Sequence, residues 1–135
     1  MRGLWVAIAL ALALALSAPA AGAWSAGATG SGKAAARTLP SGNVPSGTGG
    51  VGTVNLSWTA SSFAGGGAVP GYVVRRFNSV TLAEATVGGG CAGVVTATAC
   101  TETGVTTGSW KYTITPAAGT WRGGQSAQSP AIVVI

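Results

Sequence analysis

The chain has 135 residues, of which 47% are hydrophobic and only 7% are charged, and its length fits one domain of ordinary size. It contains no histidine and only two acidic residues, Glu84 and Glu102. Without histidine or aspartate, the chain cannot build a Ser-His-Asp triad, a Cys-His dyad, a histidine-based metal site or an aspartyl dyad. A two-carboxylate glycosidase would need both glutamates, which we expect at solvated strand edges. The sequence therefore predicts no enzyme, no cofactor and no metal.

The net charge of +5 comes from few residues, which are spread along the chain. The only adjacent basic pair is Arg75-Arg76. On a strand, neighbouring side chains point to opposite faces, so this pair would not form one patch. Nucleic-acid binders concentrate lysine and arginine on one face. The sequence therefore predicts no nucleic-acid partner and favours a general attraction to acidic cell-wall polymers.

Residues 1–23 have the features of a secretory signal peptide. Leu4–Leu16 is an uninterrupted apolar run behind Arg2, and Ala21-Gly22-Ala23 offers the small residues that a signal peptidase reads. We expect cleavage after Ala23 and a secreted or cell-surface protein. The alternative is a retained anchor, since this stretch is just long enough to span a bilayer. A membrane contact is expected only in that case.

Residues 24–50 are rich in Gly, Ser, Ala, Thr and Pro and lack apolar periodicity. This composition is typical of a flexible linker, which could include the start of the first strand. Within it, Gly27–Lys33 has the spacing of a phosphate-binding loop. Ala34 stands where that motif needs Ser or Thr to hold magnesium, and no buried strand precedes the loop. We therefore predict no nucleotide site.

Residues 51–135 show a period of two, which is typical of half-buried strands. We expect strands over residues 54–59, 72–77, 84–87, 110–115 and 129–135, separated by Gly-rich turns, and a short strand around Cys100 within the Val-, Thr- and Ala-rich residues 93–103. Short strands at regular spacing without a helical segment predict an all-β sandwich. The predicted core contains Val54, Leu56, Trp58, Tyr72, Val74, Tyr112, Ile114 and alternate residues of the last strand.

Two cysteines, Cys91 and Cys100, lie in this region. In an exported chain we expect them to form a disulfide. A reactive pair usually has a C-x-x-C spacing at a helix N-terminus, and neither feature is present. The alternatives are a reactive thiol or a link between two chains.

The folded region resembles the fibronectin type III domains of exported proteins from high-GC Gram-positive bacteria. The matching segments are Leu56-Ser57-Trp58, Gly71-Tyr72-Val73-Val74, Gly108 leading into Tyr112-Thr113-Ile114, and the cysteine pair followed by Thr101-Glu102-Thr103-Gly104-Val105. The resemblance covers about residues 38–135. It implies an immunoglobulin-like sandwich of about seven strands that acts as a spacer or interaction module.

The sequence therefore favours a non-catalytic binding or structural module whose partner is an unknown protein or a cell-wall glycan. Aromatic faces stack on sugar rings, and Trp110, Trp121 and Phe77 are the candidates. Trp110 shares its strand face with Tyr112 and Ile114, so we expect it to be buried in the core. Trp121, with Arg122, lies in a predicted hairpin loop, where it either contacts a ligand or covers one end of the sandwich.

The first prediction concerns processing. The exported protein should begin at Trp24, because the apolar run is short and ends at a small-residue site. Intact-mass spectrometry measures this directly. A mass that still includes residues 1–23 would show that the segment is an anchor.

Overall fold

The computed structural model describes residues 37–135, and the predicted signal peptide and residues 24–36 of the predicted linker lie outside them. Within the described residues the chain forms nine strands and a single 3-10 turn, Gly89–Cys91. The strands are β1 (Ser46–Gly49), β2 (Thr53–Ser57), β3 (Gly71–Asn78), β4 (Glu84–Ala85), β5 (Val94–Val95), β6 (Ala99–Thr103), β7 (Gly108–Ala118), β8 (Trp121–Arg122) and β9 (Ile132–Val134). No helix in this part of the chain is long and apolar enough to cross a membrane.

The strands form two antiparallel sheets around one core. The first sheet has the order β1-β2-β6. The second has the order β4-β3-β7-β8, with β5 also pairing with β3 and β9 with β7. The longest pairing joins β3 to β7, from Gly71 opposite Ala117 to Asn78 opposite Trp110. The predicted immunoglobulin-like β-sandwich is confirmed.

The strands are more numerous and shorter than the sequence suggested. Residues 93–103 contain the predicted short strand around Cys100, which is β6, and a second strand, β5, because β5 pairs with β3 in the second sheet whereas β6 pairs with β2 in the first. The chain thus changes sheets between Val95 and Ala99. A single continuous strand cannot make both pairings.

The last predicted strand, residues 129–135, is regular only over β9. Before β9, serine hydroxyls take the place of backbone acceptors. Ser126 Oγ accepts a hydrogen bond from the N–H of Ile114, and Ser129 Oγ accepts one from the N–H of Tyr112, both at 3.0 Å. Pro130 has no N–H to contribute to a ladder. The N–H groups of Ser126 and Ser129 also donate to Ile114 O and Tyr112 O, at 2.9 and 2.8 Å. The segment therefore follows β7 through paired side-chain and backbone hydrogen bonds until β9 begins.

The predicted core is confirmed. Its residues come from both sheets and follow the period of two along each strand. All of the residues predicted for it are buried, namely Val54, Leu56, Trp58, Tyr72, Val74, Tyr112 and Ile114, with Ile132 and Val134 from the last strand. Val133, between the last two, is exposed as the alternation requires.

Trp58 lies one residue beyond the end of β2, not in mid-strand as expected, yet its side chain is buried with Val54 and Leu56. Its backbone N–H donates to Thr98 O at 2.9 Å. The indole packs edge to face against the ring of Tyr72, with centroids 5.6 Å apart. Trp58 therefore joins a strand of the first sheet to one of the second.

The first strand contacts both sheets. β1 pairs with β2, and beyond its end the Ile135 N–H donates to Gly50 O at 3.2 Å. Gly49 passes so close to the carbonyl of Val133 that a Cβ atom would collide with it. Glycine is therefore required for this approach. β1 lies in the segment 24–50, at whose end the sequence allowed a first strand.

Cys91 and Cys100 form the predicted disulfide, with Cα atoms 5.2 Å apart, and neither thiol is free. The bond joins the 3-10 turn to β6, an edge strand of the first sheet. A Cβ atom on Gly90 would lie 3.1 Å from the carbonyl oxygen of Thr101. Uncovered edge strands invite pairing with other chains. The disulfide thus fastens a glycine-rich segment against this edge.

The second prediction concerns Trp58. Trp58→Ala should lower the free energy of unfolding by about 3–5 kcal/mol, because it removes a buried ring from the centre of the core. That loss is comparable to the whole stability of a small domain, so the variant should be largely unfolded. Trp121→Ala is the matched control, since that indole is exposed. Thermal melts in which Trp121→Ala unfolds and Trp58→Ala does not would contradict the assignment.

Candidate binding site

One end of the sandwich carries an open groove of about 600 Å³. We call it the aromatic groove and define it by Arg37, Thr38, Leu39, Phe63, Ala118, Trp121 and Arg122. Its residues come from the segment before β1, the turn between β2 and β3, and the hairpin between β7 and β8. A hollow of this size with an apolar lining and a few polar groups fits a small ligand.

Trp121 is held at the groove by a tight hairpin. Ala118 pairs with Trp121, so only Gly119 and Thr120 form the loop. Gly119 has a φ of +57°, as two-residue hairpins with a positive φ at the first loop position require. The Trp121 side chain is 76% exposed. It therefore does not close the end of the sandwich, and its face is open to a ligand.

Arg122 follows in the same hairpin and is fixed by its own backbone. Its Nη1 donates to Gly119 O at 2.8 Å and to Trp121 O at 2.9 Å. Arg122 pairs with Ala117, a buried residue near the end of β7. Among the described residues no carboxylate forms an ion pair with Arg122 or with Arg37.

The sequence did not predict that Phe63, Arg37 and Leu39 also line the groove. Phe63 sits in a turn closed by its N–H donating to Gly67 O at 2.9 Å. The guanidinium carbon of Arg37 lies 5.6 Å from the centre of its ring, within range of a cation–π contact. An aromatic residue inside a Gly- and Ser-rich turn is a local signal for Phe63. No local pattern marks Arg37 or Leu39, which reach the groove only through the fold.

The two glutamates lie in different environments, and the expectation of two solvated carboxylates was wrong for Glu102. Glu102 is fully buried and accepts a hydrogen bond from Arg76 Nη1 at 2.7 Å. Its position in β6 pairs with Val54, on the core face. Glu84 is the solvated one, and its carboxylate lies 3.7 Å from Arg75 Nε. The separation of Arg75 from Arg76 onto opposite faces follows the predicted alternation.

The buried carboxylate is fully coordinated by hydrogen bonds. Besides Arg76, it accepts the Gly88 N–H at 3.1 Å and the Tyr112 hydroxyl at 2.7 Å. Burial, then the hydrogen bond to Glu102, raises the pKa of Tyr112 above its ordinary value. The phenol therefore remains protonated and donates to the carboxylate. This arrangement is structural, since Glu102 is closed to any substrate.

Trp110 is only half-buried, whereas its parity predicted a core position. Its ring lies against the guanidinium of Arg76, 4.5 Å from ring centre to Cζ. Its indole N–H donates to Thr106 O at 2.9 Å. Trp110 thus covers the buried ion pair and packs against the core with part of its ring. In the described part of the chain no three His, Cys, Asp or Glu residues gather in a group that could hold a metal.

The third prediction compares the two glutamates. Glu102→Gln should lower the free energy of unfolding by about 3–5 kcal/mol, because the guanidinium of Arg76 would stay buried without its counter-charge. Glu84→Gln is the matched control and should change it by about 0–1 kcal/mol, since that pair is half exposed. Urea denaturation measures both. Equal effects of the two substitutions would contradict the structural role of Glu102.

Comparison with known proteins supports the fold. No protein-family model matches the chain, and no curated protein matches it. Among solved structures it is similar to a crystal structure of domains A168-A170 from titin, with 20% identity, a TM-score of 0.54, and coverage of 71% of this chain and 31% of that one. It is also similar to titin kinase and its flanking domains, with 18% identity, a TM-score of 0.53, and coverage of 72% of this chain and 17% of that one.

These likenesses concern one domain of much longer chains, because this chain spans less than a third of either. At 18–20% identity they establish the fold alone. The described residues thus form an immunoglobulin-like or fibronectin type III-like sandwich, and the function has to be argued from the site because a fold does not imply one.

Proposed function

We propose that this protein is a non-catalytic, exported binding module that contacts a cell-wall glycan through the aromatic groove. The observation that carries the proposal is the exposed Trp121, which lines a hollow of about 600 Å³ together with Phe63. Sugar rings present C–H faces that pack on aromatic rings, while their hydroxyls reach polar groups at the rim. A protein partner is the other candidate from the sequence. A concave hollow of this size favours a small repeating unit over the flat contact of a standard protein interface.

Two further features support an extracellular setting. The disulfide between Cys91 and Cys100 is a bond that persists in oxidising compartments. The sequence of residues 1–23 resembles a cleavable signal peptide. These two features and the resemblance to fibronectin type III domains of high-GC Gram-positive bacteria make the cell wall of such a bacterium the first material to test for binding. On this proposal the exported protein begins at Trp24, and the predicted linker over residues 24–50 leads into β1 at its end.

The fourth prediction tests this function. The purified protein should sediment with isolated cell walls of a high-GC Gram-positive bacterium. Trp121→Ala should weaken that binding about tenfold or more, because a tryptophan central to an interface contributes about 2 kcal/mol.

The control is Val80→Ala, which changes an exposed apolar residue in the loop between β3 and β4, remote from the groove. It should bind as the wild type does. Equal binding by wild type and Trp121→Ala, with both proteins folded by thermal melt, would rule out the groove as the contact. Binding that survives digestion of the glycan but not of wall protein would identify a protein partner instead.

A further inference from the structure

The surface cations of the described residues are gathered on one side of the domain. Arg76 is withdrawn into the core by its pair with Glu102. Arg37 and Arg122 line the aromatic groove. Arg75 and Lys111 belong to β3 and β7 of the second sheet, at positions that point away from the core. The surface charge is therefore concentrated although the sequence spreads it along the chain.

The groove continues onto the second sheet. We call the side of that sheet that points away from the core the outer face, defined by Val73, Arg75, Phe77, Lys111, Thr115 and Gln125. Thr113 is buried on this side, and its hydroxyl accepts a hydrogen bond from Gln125 Nε2 at 2.7 Å. A second hollow, of about 260 Å³, is lined by both Arg75 and Arg122. Arg122 also lines the aromatic groove, so the two hollows share this residue. One extended ligand can therefore occupy both.

The far part of the outer face repeats the combination of an aromatic ring with cations. Phe77 pairs with Lys111, and Arg75 pairs with Thr113. Arg75 and Phe77 are two residues apart on one strand, so they share a face with Lys111. Diagonal neighbours of this kind lie about 7–8 Å apart. Phe77, a sequence candidate for sugar stacking, is thus placed beside two basic side chains.

Negative charge is nearly absent from this side. Glu84 is the only side-chain carboxylate at the surface of residues 37–135, and it lies beside Arg75 with both side chains about half exposed, at 55% and 50%. The opposite sheet gives a built-in comparison. None of its outward positions is charged; they are Ser46, Thr48, Thr53, Asn55, Ser57, Ala99, Thr101 and Thr103. The positive charge that would attract an acidic ligand is therefore confined to the aromatic groove and the outer face.

We propose that the ligand is an acidic glycan, a chain of sugar rings bearing carboxylates, which runs from the aromatic groove past Arg122 onto the outer face. This inference rests on the proposed glycan-binding function and adds a ligand class to it. Trp121 and Phe63 pack on ring faces, while the guanidinium groups donate to carboxylates through charge-assisted hydrogen bonds. Complementary charge selects an acidic glycan over a neutral one.

The test uses three probes in isothermal titration with the purified protein. Oligogalacturonate carries rings and charge, its methyl ester carries the same rings without charge, and polyglycerol phosphate carries charge without rings. Oligogalacturonate should bind about tenfold more tightly than either of the others. Its affinity should fall about tenfold between 50 and 500 mM NaCl, because salt screens exposed charges.

Two substitutions with opposite expected effects on affinity make the test more specific. Arg122→Gln should weaken binding of oligogalacturonate about three- to tenfold by removing the cation that both hollows share. Glu84→Gln should strengthen it about two- to fivefold by removing the repulsive carboxylate beside Arg75. Thr48→Ala, at an exposed outward position of the first sheet, should change nothing.

Three results would overturn the inference in distinguishable ways. Equal binding of the methyl ester, still lost in Trp121→Ala, would remove the acidic ligand and leave the proposed function intact. Equal binding of polyglycerol phosphate, unaffected by Trp121→Ala, would show a general polyanion surface. No binding of either saccharide would overturn the inference, and the proposed function would fail with it only if cell walls also failed to sediment the protein.

Discussion

The buried ion pair between Arg76 and Glu102 is the interaction on which the rest of the sandwich depends. It joins β3 of one sheet to β6 of the other across the core. A buried charge is costly unless it is paired and hydrogen-bonded. Tyr112 and Gly88 donate the remaining hydrogen bonds to the carboxylate, and Trp110 covers the guanidinium. Residues from four separate segments must therefore be in place before this pair can be buried.

The same pair shapes the surface. It removes one of the two carboxylates of the chain from solvent, and the remaining one lies at the edge of the second sheet beside Arg75. The groove and the outer face are left with four basic side chains and one acid within the described residues. The burial of Glu102 in the core and the excess of positive charge at the surface thus have the same cause. The electrostatic character of the proposed ligand side follows from which glutamate the fold buries.

The disulfide and the exposed Trp121 lie at different places in the fold. The disulfide holds a glycine-rich segment over the edge of the first sheet. The groove lies at one end, where Trp121 projects from a two-residue loop anchored on the longest strand. Loops on a rigid scaffold commonly carry binding residues. The short loop fixes the indole without burying it, so its face stays available to a ligand.

The period-two pattern by itself determined the sandwich and most of its core residues, because strand alternation is a local property. The absence of histidine and aspartate determined which catalytic sites are excluded. In the last strand residues 131–135 are all apolar, so only the structure decided that Ile132 and Val134 are the buried ones. Only the tertiary structure decided that Glu102 is buried, that Trp110 covers Arg76, and that Phe63 lines the same groove as Trp121. Glu102 lies two residues from Cys100 on β6, so strand alternation points its side chain inward. Its carboxylate can be buried, however, only because Arg76 from a distant strand pairs with it. The groove and the clustering of cations also depend on contacts between segments far apart in the chain, and no local pattern records them.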